Sequence, residues 1–93
     1  MKCRLVQIKW VDSNHTNGAW KWLSQFEKRN PILCVSVGWL IQDDDDVKVI
    51  VQTFGDVDEA DDMQYAGDKV IPTPAVRSIE TLVEADEEEC EAA

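Results

Sequence analysis

Apolar and polar positions alternate through residues 4–11, RLVQIKWV. Val6, Ile8 and Trp10 fall on one face and Gln7 and Lys9 on the other, the period of a half-buried strand. The next stretch, DSNHTNG, is rich in turn formers and offers N-cap residues for a helix starting near Ala19. Residues 19–29, AWKWLSQFEKR, then switch to a helical period. Ala19, Trp22, Leu23 and Phe26 share one face, Lys21, Ser24, Gln25 and Lys28 the opposite one, and Trp20 lies at the border. Lys28 and Arg29 suit the negative end of a helix dipole, and Asn30-Pro31 stops the helix. Residues 32–41, ILCVSVGWLI, read as a buried strand with Leu33, Val35, Val37, Trp39 and Ile41 on one face. Gly38 inside it implies a bend, a bulge or a close backbone approach.

Four aspartates, Asp43, Asp44, Asp45 and Asp46, connect that run to VKVIVQTF, and the two runs with their short polar link predict a β-hairpin. Residues 55–68 read as a long acidic loop bounded by glycines. Residues 69–83 supply two short extended pieces turned by Pro72 and Pro74. The order β-α-β-β-β-β predicts an α+β domain: a small, strongly curved antiparallel sheet or an SH3-like or Sm-like barrel, with one short helix covering an end. An open α+β sandwich is the other architecture this order allows. Residues 1–83 form one globular domain in this reading, and residues 84–93, EADEEECEAA, a flexible acidic tail.

Charge changes the picture. The 93 residues carry a net charge of −10, and its distribution is lopsided. Residues 1–41 hold six Lys or Arg and two acids, net +4, whereas residues 42–93 hold three and seventeen, net −14. Direct binding to a nucleic-acid backbone, which calls for clustered cations, is disfavoured. The sign fits a protein partner with a basic surface. It also permits self-association of acidic and basic halves into a homo-oligomer. No apolar run approaches the roughly 18 residues that span a bilayer, so no membrane partner is expected. Three cysteines, Cys3, Cys34 and Cys90, match no zinc or redox spacing and point to a reducing, cytoplasmic compartment.

Candidate chemistry is sparse. Asp43–46 lack the ligand spacing of a calcium loop, and so does the run from Asp56, where Asp61 and Gly67 stand in place of the required Gly and Glu. His15 is the single histidine and lies in a polar turn. No phosphate-binding glycine loop is present, and no carboxylate pair stands out among nineteen acids. The chain therefore reads as a non-enzyme without metal or other cofactor. The candidate partner surface comprises Asp43, Asp44, Asp45 and Asp46 together with Asp56, Asp58, Asp61 and Asp62, with Met63 and Tyr65 as apolar anchors. Trp20, with Arg4, Lys9 and Arg77, is the candidate for a subunit interface or a pocket.

Two stretches, KWVDSNHTNGAWKWL and CVSVGWLIQDDDDVKVIVQT, together with the ending VIPTPAVRSIETL, resemble small uncharacterised β-rich proteins encoded by bacteriophages. The resemblance covers most of residues 4–83. It implies an accessory or counter-defence factor in the bacterial host cytoplasm that occludes a basic surface of a host protein. Two alternatives stay open: an oligomeric protein that sequesters a small-molecule nucleotide signal, and a self-assembling structural protein.

Overall fold

The computed structural model describes residues 3–58 and 62–84. Asp61 and all but the first residue of the proposed tail lie outside them. Seven strands occur there in chain order: β1 (Leu5–Asp12), β2 (Ile32–Asp43), β3 (Val47–Val51), β4 (Thr53–Gly55), β5 (Gln64–Ala66), β6 (Lys69–Pro72) and β7 (Val76–Thr81). Five of them form an antiparallel sheet ordered β6-β3-β2-β1-β7, and β4 and β5 form a separate two-stranded hairpin.

The alternation read in residues 4–11 places Val6 and Ile8 on the inner face of β1, both fully buried. They meet Ile50 of β3 and Ile71 of β6, with Trp10, Leu40, Val76 and Ile79 packed around them. Ile71 and Ile79 come from strands at opposite edges of the sheet, so the sheet must curl for both to reach one cluster. The chain makes that transfer through a single 3₁₀ turn, Thr73–Ala75, with Pro74 at its start. The Lys69 ammonium of β6 lies 5.3 Å from the Trp10 ring centroid across the same hollow. The edges β6 and β7 nevertheless do not pair. The barrel expected from the sequence is not closed.

The expected helix is absent. Residues 13–31 form an extended arm between β1 and β2, and its regular structure is one 3₁₀ turn, Leu23–Gln25. Trp22 and Phe26, which flank the turn, are in extended backbone (φ −78°, ψ 132° and φ −64°, ψ 130°). An eleven-residue helix is shorter than the ~12–15 residues that are marginal in water, so it needs tertiary packing. The described residues do not supply that packing: every residue from Asp12 to Leu33 is exposed. The Asn17 side-chain oxygen accepts the Ala19 N–H (3.1 Å), as a capping residue would, but no helix follows it.

β2 differs from expectation in which face it buries. Leu33, Val35, Val37 and Trp39 do share a face, but it is the outer one, and Ile41 sits at a bulge between Leu40 and Gln42. Cys34, Ser36, Gly38 and Leu40 face inward. The reason is size. Trp10 needs small neighbours and a hydrogen-bond acceptor, and Ser36 Oγ accepts its indole N–H at 3.0 Å. Gly38 lets β3 approach closely: a Cβ there would stand 2.8 Å from the Val51 carbonyl oxygen.

The acidic loop expected at 55–68 is also more ordered than its composition implied. β4 and β5 fold it into a hairpin in which Phe54 pairs with Tyr65. Phe54 packs on Trp39 with ring centroids 5.5 Å apart, covering part of the outer sheet face. Gly67 then turns the chain into β6 with φ +72°, a conformation that favours glycine.

Candidate functional site

The four aspartates at the β2–β3 turn are not equivalent. The Asp44 carboxylate accepts the backbone N–H groups of Asp46 (2.9 Å) and Val47 (2.8 Å) and the Gln42 side-chain amide (2.8 Å). Its backbone carbonyl accepts the Thr73 hydroxyl (2.7 Å), and the Asp46 carbonyl accepts the Thr73 N–H (2.9 Å). Asp44 thus closes its own turn, and the turn holds the 3₁₀ segment that links the two sheet edges. Asp43 pairs with the Lys48 ammonium and, at 3.9 Å, with the Arg4 guanidinium. Only Asp45 and Asp46 direct carboxylates outward without a hydrogen-bond donor among the described residues. Two of the four candidate partner residues are therefore engaged within the chain.

The Val47 N–H, the Gln42 amide and the Asp46 N–H, in that order, hold the Asp44 carboxyl below the usual carboxylate range. A carboxyl whose pKa is lower folded than unfolded contributes stability above its unfolded value near 3.8. That contribution is lost as pH falls through the lower, folded value. Asp44→Asn should accordingly flatten the acid limb of the stability curve below pH ~4, with little change in its shape near neutrality. Urea midpoints measured across that range for both chains test this; parallel acid limbs would refute it.

The second acidic group sits at the tip of the β4–β5 hairpin. Asp56 adopts φ 53° at the turn, and its carboxylate accepts the Gln64 side-chain amide. Asp58 and Asp62 are exposed, Met63 is half-buried and Tyr65 is exposed. The β4–β5 pairing thus places Asp56, Asp58, Asp62, Met63 and Tyr65 on or beside one hairpin. The aspartates of the β2–β3 turn enter β3 at its start, whereas the hairpin lies beyond its far end. The two acidic stretches are separate features of the surface.

The candidate pocket residues are dispersed within one chain. Arg4 lies at the start of β1, where it also donates to Thr81 Oγ1 (2.9 Å). Lys9 is exposed midway along β1, opposite Val35 and Ser78. Arg77 lies on β7 beside the 3₁₀ turn and donates to the Pro74 carbonyl (3.4 Å). Trp20 is fully exposed on the arm, beyond the other end of β1 from Arg4. Among the described residues, no group of three His, Cys, Asp or Glu side chains could hold a metal ion. No helix there is long and apolar enough to cross a membrane.

The structure also exposes an apolar surface that sequence reasoning assigned to the core. On the arm, Trp22, Leu23 and Phe26 are 78, 88 and 68% exposed; on β2, Leu33, Val35 and Val37 are 64, 56 and 49% exposed. A readable signal existed: β2 is apolar on both faces, and a sheet with a single filled face can bury only one of them.

Comparisons with known protein families, curated proteins and solved structures find no match to this chain. Its own geometry is what bears on its function.

Proposed function

We propose that the chain is a non-catalytic binding factor that presents carboxylates to a basic surface of a partner protein. The observation that carries this reading is the β4–β5 hairpin, where Asp56, Asp58 and Asp62 flank the partly exposed Met63 and Tyr65. Long-range charge attraction speeds encounter, and desolvated aromatic or thioether anchors then supply most of the affinity. The remaining charge supports this arrangement. Both ion pairs among the described residues fall on Asp43, which leaves the hairpin carboxylates free of cations there. In the bacteriophage setting that the sequence resembles, the partner is a host protein in the bacterial cytoplasm, and binding occludes its basic face.

The finer architecture belongs to the same reading. The strand order β6-β3-β2-β1-β7, with a 3₁₀ turn passing the chain from one edge to the other, supports reading the fold as an open, SH3-like arrangement. In such a module the connecting loops carry recognition while the sheet supplies rigidity.

Capture from bacterial lysate, then kinetics with the purified partner, tests the proposal. The triple variant Asp56→Lys, Asp58→Lys, Asp62→Lys should slow association about tenfold or more at low salt, and added salt should narrow the gap. Tyr65→Ala should instead speed dissociation. Association that is unchanged by charge reversal would rule this surface out.

A further inference from the structure

We propose that the arm formed by residues 13–31 packs onto the outer sheet face of a second copy of this chain, with the exchange made reciprocally about a two-fold axis. The chain carries both halves of such an interface, and neither is covered. The donor is the arm, with Trp20, Trp22, Leu23 and Phe26 exposed. The acceptor is the stripe Leu33, Val35 and Val37 on the outer face of β2.

Three observations favour a second copy over the chain's own sheet. First, β1 and β2 remain paired to the very base of the arm, at Asp12 and Ile32. Just beyond, the Asn14 amide donates to the Asn30 carbonyl (3.2 Å), tying the two legs together. The arm therefore continues along the strands instead of folding back. The molecule measures 61 × 36 × 24 Å with a radius of gyration of 18.3 Å, against about 12 Å for a compact chain of this length. An isolated protomer has little reason to hold aromatic side chains in water at that reach.

Second, the charges are complementary. The arm carries Lys21, Lys28 and Arg29 against Glu27, net +2, so the rest of the chain holds −12 of the total −10. On the outer face the register places Lys9 directly beside Val35, and Glu80 across Gln7 from Val37, so the local charges balance and the attraction comes from the −12 of the body as a whole. A copy's arm is thus attracted to the body of its neighbour.

Third, the area suffices. At about 150–250 Å² per large aromatic side chain, two arms would remove roughly 1,200 Å² of their own apolar surface. The sheet area they cover adds to this, giving the ~1,200–2,000 Å² typical of stable interfaces. The closed two-fold arrangement also leaves no arm free to propagate a filament.

Light scattering on size-exclusion fractions tests the exchange in the full chain. The unmodified protein should run at twice the chain mass. The arm variant Trp20→Ser, Trp22→Ser, Phe26→Ser should run at the mass of one chain with an unchanged far-ultraviolet circular dichroism spectrum and urea midpoint, because those side chains are exposed on the arm. Val37→Lys, at an exposed position facing the arm's own cations, should do the same. Mixing the two variants at raised concentration should restore a two-chain species, since one retains an intact face and the other an intact arm. A single-chain mass for the unmodified protein, as an arm folded on its own face would give, overturns the proposal. So does a two-chain mass in either variant alone, or the failure of the mixture to associate. The hairpin aspartates take no part in this exchange, so the outcome is independent of the binding role proposed above.

Discussion

Replacing Ile8 with alanine should lower the free energy of unfolding by about 3–4 kcal/mol, within the range measured when large aliphatic side chains are removed from packed cores. Ile8 is fully buried and lies opposite Ser36 of β2 and Ile79 of β7, at the centre of the inner face. The truncation removes every side-chain atom beyond Cβ and leaves a cavity. Its neighbours cannot collapse into that space, because β1 is held by ladders on both sides. The effect is large relative to the whole. The buried hydrophobic core among the described residues is Val6, Ile8, Val49, Ile50, Val51 and Ile71, and domains of this size hold about 5–15 kcal/mol in total. With a urea slope of roughly 1 kcal/mol/M, the midpoint should fall by ~3 M, and the variant should be partly unfolded at 37 °C. Val57→Ala, at an exposed position beside the hairpin tip, should change stability by no more than about 0.5 kcal/mol. Equal effects at the two positions would mean that the inner face is not the core.

Gly38→Val should destabilise by about 2–3 kcal/mol, the upper range for overpacking. The sign is the informative part. Glycine inside a strand is intrinsically poor and valine is favourable, so propensity alone predicts a gain. The structure reverses that expectation. A Cβ at Gly38 would stand 2.8 Å from the Val51 carbonyl oxygen and 3.1 Å from Ile50 Cβ. The oxygen is backbone, and Val51 is paired with Trp39, so relief requires the ladder itself to move. The two flanking contacts, Trp39 with Phe54 and Trp10 with Ser36, would report that movement as a changed near-ultraviolet circular dichroism signal. A stabilised Gly38→Val protein would show that β3 does not approach β2 in this register.

Much of the sheet was legible in the chain. The alternation in residues 4–11 places Val6, Ile8 and Trp10 on one face of β1, where the structure buries the first two and half-buries the third. The apolar runs on either side of Asp43–46 pair as β2 and β3. The prolines near residue 73 mark the 3₁₀ turn between two short strands. These features are local. Side-chain alternation, turn chemistry and proline geometry act between residues close in sequence, so a one-dimensional reading can find them.

The candidate site was legible only in part. Its charges are visible in the sequence, but their roles are not. Nothing in four consecutive aspartates indicates that Asp44 closes the turn and Asp43 pairs with Lys48 and Arg4, leaving Asp45 and Asp46 outward. Nor does the acidic composition of residues 55–68 reveal a hairpin held by Phe54 against Trp39. Both depend on partners brought together from distant parts of the chain.

Local sequence dictated the five strands of the main sheet, the turn between β2 and β3, the charge imbalance between the halves of the chain and the excess of apolar side chains over what one small core can bury. Long-range packing set which face of β2 turns inward, because Cys34 and Ser36 leave room for Trp10 and Gly38 lets β3 approach. It also decided that residues 19–29 form an arm. An amphipathic pattern specifies a helix only where there is a surface for its apolar side to meet. The inner face is filled by the sheet's own strands, and the pairing of β1 with β2 up to Asp12 and Ile32 directs the arm away from the apolar stripe on the chain's own outer face.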